Sequence, residues 1–419
     1  MFLLPNDKND HRGGRLLQVW LLFLAFASLT QAWPKAEVDS REYKAMLNVS
    51  LFSNNDSDDA SLETVLEQLQ KDLTKIAAAA GATGVHGNFA LNTKKTPRYV
   101  QFWDTPGTCW LHQDNFILRL RKPIVVVDKN DDDEDDDDAS SSDDDDDTRR
   151  LWEGTLKSRS GDRYHTTARK KYMHDCNKPH SIKKGSRKLE EDVAQFDWTG
   201  NVYSFSQKCY LPDDTVIMSN KKKATSKTLP LQIIPNVWDR MGDYWEESSS
   251  ILSSKASTSM ATTTLQVVSN ATVIEVSFGD FWIHLQDDGD KDDQAAEAKV
   301  TLWYHSPNGG WDVEDDKFET PQELQQWLHQ HHTPIVAELS FRIKAKHEDW
   351  SDTAIMTMHN FYAQCDARLR KKKRQWLDPT SMTKTKWIYK YDPDFCQDYT
   401  HVEIVGKDDE QDDDSEDST

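Results

Sequence analysis

The sequence predicts an α+β fold in which antiparallel β-strands predominate and a few helices are added. Three observations support this class. Many short segments alternate apolar and polar residues, as a strand with one buried face does. Clusters of Gly, Pro, Asn and Asp separate these segments, as turns do. Only a few segments repeat apolar residues at helical spacing. So many strands in close succession favour a barrel or a sandwich.

Residues 1–32 are predicted to be a signal peptide. A basic n-region precedes an apolar run of 17 residues, and the small residues Thr30 and Ala32 are placed for cleavage after Ala32. An uncleaved signal anchor is the alternative, because the run is only just short of a membrane-spanning helix. The protein is therefore expected to be secreted or to reside in the endomembrane lumen, or else to carry a single-pass membrane anchor.

Two acidic tracts are expected to be disordered. Residues 131–147, within an insert placed at 128–148, hold 13 acidic residues and no basic one, and the tail at 406–419 holds eight acidic residues and one lysine. Such runs repel themselves and bury no apolar surface. They carry nearly all of the net charge of −21, so the rest of the chain is close to neutral. The tracts either add solubility, bind cations weakly or occupy a basic site of the same protein.

The first half of the main domain, placed at 36–346, reads as strands around one helix. The helix is expected in SLETVLEQLQKDLTKIAAAAGATG, where apolar residues recur at helical spacing until glycines stop it. The segment DRYHTTARKKY is expected to extend the strand before it or to pair with it across Ser160-Gly161-Asp162. Strands are expected in SREYKAMLNVS, RYVQFWDT, NFILRLRKPIVVV, LWEGTLKSRS and SRKLEEDVAQF.

The second half begins with a loop-rich insert at 210–265. Within it, a helix is considered for the segment PNVWDRMGDYWEESSSILSS. Strands resume in TLQVVSNATVIEVSFGDFWIHL, AKVTLWYH and PIVAELSFRIKAK. A short helix is expected in TPQELQQWLHQHH, with a threonine cap and Pro321 at its first position. A C-terminal extension at 347–400 is expected to hold a helix in SDTAIMTMHNFYAQCDARLRKKKR and a last strand in MTKTKWIYKY.

The cysteines and sequons fit an oxidising, secretory setting. Five cysteines without Cys-x-x-Cys spacing argue against a zinc site, and disulfides are expected in such a compartment. The nearest neighbours in sequence are Cys176 with Cys209 and Cys365 with Cys396, although the sequence does not fix the pairing. The candidate glycosylation sites are Asn48, Asn55 and Asn270.

Several predicted strands carry charges on one face, because residues i and i+2 point to the same side of a strand. Two interpretations are open. Either these are ordinary amphipathic strands with solvated charges, or the strands form a barrel with a charged interior. The second requires a polyanion to neutralise the bases and a metal to neutralise the acids, since buried unpaired charges are costly. The groups are Glu42 with Lys44, Arg119 with Arg121, Lys157 with Arg159, Arg163 with His165, Thr167, Arg169 and Lys171, Lys188 with Glu190 and Asp192, and Glu338 with Arg342.

The order of these segments resembles the triphosphate tunnel metalloenzymes, also called the CYTH superfamily. The family pattern has Glu-x-Glu-x-Lys in its first strand, an aromatic strand ending in Asp-Thr-Pro, a Leu-Arg-x-Arg strand, a Leu-x-Lys strand, a central strand with glutamate and a late Glu-x-Glu strand. The resemblance covers about residues 38 to 345 and rests on the order and spacing of the motifs. The matching segments are SREYK (40–44), QFWDTP (101–106), ILRLR (117–121), TLK (155–157), RKLEEDV (187–193) and VAELSFR (336–342).

The resemblance implies a closed antiparallel barrel of eight strands, the tunnel, with the helices packed outside. Its interior holds a triphosphate and a divalent metal ion, Mg²⁺ or Mn²⁺. Guanidinium and ammonium groups suit phosphate oxygens, and carboxylates suit a hard cation, so the chemistry agrees. The implied phosphate ligands are Lys44, Arg119, Arg121, Lys157 and Lys188. The implied metal ligands are Glu42, Glu190, Asp192 and Glu338, with Glu42 and Glu190 as catalytic residues and Glu275 as an addition to the metal site.

The sequence departs from the family pattern in both metal strands. Ser40 stands where the family has the first glutamate of its first motif, and Ser340 replaces the second glutamate of the late motif. A hydroxyl binds magnesium poorly compared with a carboxylate, and Arg342 adds a positive charge nearby. The departures therefore predict altered or lost catalysis.

Three functions follow as expectations. The first is metal-dependent hydrolysis of inorganic tripolyphosphate or a nucleoside triphosphate. The alternative is a non-catalytic tunnel that binds polyphosphate or another polyanion. The third is an unrelated secreted β-protein whose charges face solvent. The expected partner is a small phosphorylated substrate or polyphosphate, with no nucleic acid, and with membrane contact only through an uncleaved leader.

Overall fold

The structure is a computed structural model. The predicted leader, both acidic tracts and the segment weighed as a helix within 210–265 lie outside the residues it describes, and so do Asn55 and Cys176. None of the helices in the described part has the length and hydrophobicity of a transmembrane span. The described residues are 38–53, 61–93, 97–124, 151–168, 185–193, 201–211, 228–230, 264–286, 294–306, 318, 320–343, 350–371, 375–378 and 383–397.

The protein is a mostly β α+β fold built on one mixed sheet. In chain order the strands are β1 (Ser40–Leu47), β2 (Gly84–Leu91), β3 (Arg98–Asp104), β4 (Phe116–Pro123), β5 (Trp152–Ser160), β6 (Ser186–Val193), β7 (Asn201–Leu211), β8 (Thr228–Pro230), β9 (Thr264–Val267), β10 (Val273–Gln286), β11 (Gln294–His305) and β12 (Val336–Ile343). The helices are α1 (Leu62–Ala80), α2 (Trp110–Gln113), α3 (Arg163–Ala168), α4 (Pro321–His331), α5 (Asp352–Lys371) and α6 (Lys384–Tyr391), and short 3₁₀ helices lie at Val49–Phe52, Val268–Asn270 and Pro393–Cys396.

Nine of the described strands pair in a ring. The pairing runs β10–β11–β12–β1–β6–β7–β5–β4–β3, and β3 then pairs with β10, where Val100 lies opposite Val273. Within the ring β1 and β6 are parallel, and the other pairs are antiparallel. Strand β2 adds to β10, and β9 and β8 add to β3. The predicted sheet-rich α+β class is therefore confirmed. The expected closed barrel of eight antiparallel strands is not, because the ring has nine strands and one parallel pair.

The helices begin and end where the sequence provides caps. The hydroxyl of Ser61 accepts a hydrogen bond from the backbone N–H of Thr64, and α1 ends at Gly81 with φ at +93°, a conformation that glycine adopts without strain. Helix α4 begins in the same way, since Thr320 accepts from the N–H of Glu323. These two helices and α5 confirm the helical predictions for their segments.

Two segments predicted as strands are helices instead. In α3, Asp162 accepts the N–H of Tyr164 at 2.7 Å, and in α6, Thr383 accepts the N–H of Lys386 at 3.2 Å. These side-chain caps satisfy the first free N–H groups of a helix, so a short helix replaces the alternating pattern. The predicted strand face of Arg163 and its neighbours is therefore wrong. Arg169 and Lys171, which belong to the same predicted face, lie outside the described residues. The strands β2, β7 and β8 and the short helix α2 were not predicted.

The outer face of one half of the ring packs against α1 and α5. Tyr43 of β1 and Phe341 of β12 are fully buried there, in one apolar cluster with Leu69 of α1 and Phe361 of α5. Burying side chains of this size contributes about 1.5–3 kcal/mol each. Because residues alternate in a strand, this packing leaves the other set of side chains pointing to the opposite face.

Candidate functional site

The charged residues of the ring lie on the face opposite the packed helices. In β1, Tyr43 packs outward, whereas Glu42 and Lys44 point the other way. Residues directly opposite each other on paired strands share a face. Glu42 lies opposite Arg342 of β12 and opposite Asp192 of β6, so these two side chains point to the same side as Glu42. We call this side of the ring the inner face.

Ion pairs that skip a strand show that the ring curves around the inner face. Arg342 of β12 lies 3.4 Å from Glu190 of β6, although β1 separates the two strands. Arg121 of β4 lies 3.6 Å from Glu275 of β10, although β3 lies between them. The nine strands pair in a closed ring, so one face of the sheet encloses the interior, and side chains from strands two apart come closer together on that face. The inner face is therefore concave.

Bases outnumber acids on the inner face among the ring residues that the structure describes. The bases are Lys44, Arg98, Arg119, Arg121, Lys157, Arg159, Lys188, Lys208, Lys299 and Arg342. The acids are Glu42, Glu153, Glu190, Asp192, Glu275, Glu297 and Glu338. The whole chain carries a net charge of −21, so the positive balance is a local property of this face.

Three lysines and three carboxylates from β1, β5 and β6 form one group. We call Glu42, Lys44, Lys157, Lys188, Glu190 and Asp192 the lysine–carboxylate cluster. The ammonium of Lys44 lies 2.8 Å from Glu42 and 2.8 Å from Asp192, and Lys157 lies 3.1 Å from Asp192. Burial opposes charge on Asp192, but the two lysines outweigh it and hold the pKa of Asp192 well below its usual range. Each carboxylate is thus neutralised by a lysine.

Glu190 differs from the other carboxylates of the cluster. It lies 2.6 Å from Lys188 and 3.7 Å from Lys157, and the hydroxyl of Ser40 donates to it at 3.3 Å. Burial, aided by repulsion from the two other carboxylates, nevertheless raises the pKa of Glu190. Ser40 therefore replaces the expected carboxylate with a hydrogen-bond donor. Ser340, the other departure, is a buried inner-face residue opposite Lys44.

Three arginines from β3 and β4 form a second group, which we call the arginine cluster: Arg98, Arg119 and Arg121. Arg98 donates to Glu275 at 2.6 Å, and Arg121 lies 3.4 Å from Glu153. Arg119 makes no hydrogen bond or ion pair with any described residue, and its Nε is buried. Burial and repulsion from Arg121 and Arg98 outweigh the attraction of Glu275 and Glu153 and lower the pKa of Arg119 from 12.5 to about 9. This guanidinium is a half-buried cation that makes no direct ion pair with the carboxylates that the structure describes.

Apolar side chains and α6 fill one end of the inner face. The hydroxyl of Tyr389 in α6 donates to Asp104 at 2.8 Å, and burial raises the pKa of Asp104 to about 6. Ile388 is fully buried beside it. The apolar cluster contains Met46, Val100, Phe102, Ile117, Val273, Trp303 and Val336 from the ring and Ile388 and Tyr389 from α6. The C-terminal extension, which was predicted to lie outside the tunnel domain, therefore closes one end of the ring.

A disulfide ties this end together. Cys109 is bonded to Cys396, and Cys365 is a buried free thiol. Pairing of Cys365 with Cys396, which sequence proximity suggested, is therefore wrong, because contacts between segments distant in the sequence decide which thiols meet. Cys209 is also disulfide-bonded.

Glu338 pairs with a different cation from the carboxylates with which it was grouped. Its closest cation is Lys384 of α6, at 2.8 Å, and the same ammonium lies 3.8 Å from Glu275 and 5.4 Å from the Trp303 ring centre. Lys384 was not predicted as a site residue, because its segment was assigned to a last strand of the C-terminal extension. Only the tertiary contact of α6 with the ring brings it to the inner face.

The predicted metal ligands fit a hard cation by their chemistry, since Mg²⁺ and Mn²⁺ prefer carboxylate oxygen. Glu42, Glu190 and Asp192 lie on neighbouring strands and are the candidates for one ion. In the structure lysines already bond them, and the described residues contain no group of three His, Cys, Asp or Glu residues close enough to hold a metal ion. A bound metal would therefore have to displace lysine ammonium groups.

Two of the predicted glycosylation sites fall within the described residues. Asn48 is half-buried and its side chain accepts from the N–H of Ser50 at 3.1 Å, while Asn270 is exposed at the end of a 3₁₀ helix. Whether they carry glycans stays a prediction.

Comparison with known proteins assigns no family. No protein-family model matches the chain, and no curated protein matches it significantly. The resemblance to the triphosphate tunnel metalloenzymes therefore rests on the sequence motifs and stays a prediction.

Proposed function

We propose that the ring encloses a tunnel whose inner face binds a linear triphosphate or polyphosphate, as the resemblance to the triphosphate tunnel metalloenzymes implies. The observation that carries the proposal is Arg119. A half-buried guanidinium that no described carboxylate contacts directly, beside two further arginines, is unfavourable in the ligand-free protein. A chain of phosphoryl groups supplies the missing negative charge, and its oxygens match the donors of a guanidinium fork.

The partial exposure of the inner-face side chains supports the presence of free space inside the ring for such a ligand. Lys157 and Lys188 keep 13% and 26% of their side-chain surface accessible, and Arg342 keeps 34%. Side chains on a concave face retain such exposure only where the interior is not filled by protein atoms. Because α6 and the apolar cluster fill one end, we propose that the ligand enters from the other end.

The proposal is tested by titrating the mature protein with inorganic tripolyphosphate in an isothermal calorimeter, with EDTA present. Arg119→Gln should weaken binding by at least about 30-fold, because truncating one partner of a buried charged contact costs about 2 kcal/mol or more. The control is Arg187→Gln, which alters an exposed arginine on the outer face of β6. Equal affinities for the wild type and Arg119→Gln would contradict the proposal.

Metal-dependent hydrolysis is a second candidate function, favoured by the position of Glu42, Glu190 and Asp192 beside the phosphate-binding lysines. These three carboxylates would hold Mg²⁺ or Mn²⁺, which when bound neutralises charge on the phosphoryl oxygens and polarises water. Lys44 and Lys157 would hold phosphoryl oxygens in position. Burial raises the pKa of Glu190, which is the direction that suits a group that takes up a proton.

Hydrolysis is tested by phosphate release from tripolyphosphate and from ATP, with Mg²⁺ and then Mn²⁺. Glu42→Gln and Glu190→Gln should abolish release, whereas Glu297→Gln, an inner-face carboxylate of β11 outside the cluster, should not. Binding without any release by the wild type would instead identify a non-catalytic member.

We also propose that the protein matures in the secretory pathway. The disulfide between Cys109 and Cys396 supports an oxidising compartment. The test is N-terminal sequencing of the protein made in secretory cells, which should begin at Trp33. An intact leader in the membrane fraction would show that the anchor alternative is correct.

A further inference from the structure

Helix α6 carries a lysine to the inner face, and the contacts of this lysine are specific. The ammonium of Lys384 lies 2.8 Å from Glu338 of β12 and 3.8 Å from Glu275 of β10, which are separated by β11. The face of the Trp303 indole lies against the same ammonium, with 5.4 Å to the ring centre. Two carboxylates and an aromatic face thus surround one cation.

The position of Lys384 is fixed by its helix. Thr383 caps the helix one residue earlier, and Ile388 and Tyr389 anchor it in the apolar cluster. The hydroxyl of Ser269 donates to the carbonyl of Ile388 at 2.8 Å, and Cys396 attaches the end of the segment to Cys109. The fold therefore fixes the helix from which the Lys384 ammonium reaches the two carboxylates.

The two carboxylates need a cation at this point. The side chains of Glu275 and Glu338 are only 2% and 6% exposed, and buried carboxylates without a counter-charge are costly. Glu275 also pairs with Arg98 and Arg121. Among the described residues, Lys384 is the cation that pairs with Glu338.

We propose that Lys384 is a built-in counter-ion that takes the place of a divalent metal ion beside Glu338. Glu338 is then the anchor of the C-terminal helix and is not a metal ligand. One consequence rests on the phosphate-binding function proposed above. When the inner face binds phosphate, the end of the ring beneath α6 needs no metal ion to balance its carboxylates. Removal of the ammonium should convert this position into a site that a divalent cation stabilises.

The test measures thermal unfolding of the full mature chain with Mn²⁺ or with EDTA. Lys384→Met should unfold at a lower temperature than the wild type in EDTA, and Mn²⁺ should recover about 3 °C or more. Lys386→Met, an exposed lysine on the same helix, is the matched control and should behave as the wild type. The double variant Lys384→Met/Glu338→Gln should lose the Mn²⁺ response and regain part of the stability, because the unpaired carboxylate is gone.

Three results would overturn the inference. One is a Mn²⁺ response of the wild type that Glu338→Gln abolishes. Another is a Lys384→Met variant as stable as Lys386→Met and indifferent to Mn²⁺. The third is a Lys384→Met variant that does not fold and whose folding is not restored when Glu338→Gln is added. That result would show that the lysine has another role. Titration of the same variants with tripolyphosphate separates the two proposals. If no variant binds tripolyphosphate but Lys384→Met responds to Mn²⁺, the counter-ion role holds and the proposed function fails.

Discussion

Replacing Arg119 by methionine should stabilise the ligand-free protein and remove most of its affinity for tripolyphosphate. The guanidinium lies on the inner face beside Arg98 and Arg121, and no described carboxylate contacts it directly. Binding sites often hold such unfavourable charge, because the ligand relieves it. Methionine keeps much of the aliphatic stem and removes the charge.

The size of the gain follows from the pKa. One pKa unit corresponds to about 1.36 kcal/mol, so a fall in the pKa of Arg119 from 12.5 to about 9 sets an upper limit of about 5 kcal/mol at neutral pH. Water that reaches the inner face screens the repulsion. We therefore expect Arg119→Met to raise the free energy of unfolding by about 1–3 kcal/mol.

Urea unfolding at pH 7 without ligand measures this directly. The matched control is Arg121→Met on the same strand face. Arg121 lies 3.4 Å from Glu153 and 3.6 Å from Glu275, and burial with repulsion from Arg98 lowers its pKa as well. Its removal relieves this repulsion but leaves two carboxylates less well paired, so Arg121→Met should gain clearly less stability than Arg119→Met. If Arg119→Met is less stable than the wild type by about 1 kcal/mol or more, the reasoning that Arg119 lacks a counter-charge is refuted.

Three further predictions concern stability. Burial alone would raise the pKa of Glu153, but Arg121 and Lys208 hold it at about 2. The ion pairs of Glu153 therefore stabilise the fold above pH 4.5 and lose this effect as the pH falls toward 2. Glu153→Gln should therefore cost about 2 kcal/mol at pH 7 and nothing near pH 2, and a loss independent of pH in a urea series would contradict this. Cys109→Ser opens the bond to Cys396 across 287 residues and should lower the free energy of unfolding by about 3–5 kcal/mol; a loss below about 1 kcal/mol would mean that α6 is held by other contacts. Ile388→Ala leaves a cavity beneath α6 and should cost about 2–4 kcal/mol in the same assay, and an unchanged midpoint would show that this residue is not buried.

The parts of the site that follow local rules could be predicted from the sequence. Alternation along a strand depends only on neighbouring residues, so the spacing alone places Arg119 with Arg121, and Glu42 with Lys44, on one face. The helices α1 and α5 could be predicted for the same reason, since their apolar residues recur every three or four positions.

The remaining parts depend on contacts between distant segments. Thr383 and Asp162 cap short helices in segments whose alternation also fits a strand, and composition alone does not decide between them. The partner of Glu338 comes from a helix 46 residues later in the chain, and the partner of Cys396 comes from 287 residues earlier. No local pattern shows these contacts, so the ion pair of Glu338 with Lys384 could not be predicted from the sequence.

The central claim is that the inner face of the ring binds a phosphate chain. The most direct measurement is a crystal structure of the mature protein grown with saturating tripolyphosphate. The account predicts density for consecutive phosphoryl groups within hydrogen-bond distance of Arg119 and Arg121, extending toward Lys157. Phosphate density confined to the outer surface, with the inner face free of ligand, would contradict it.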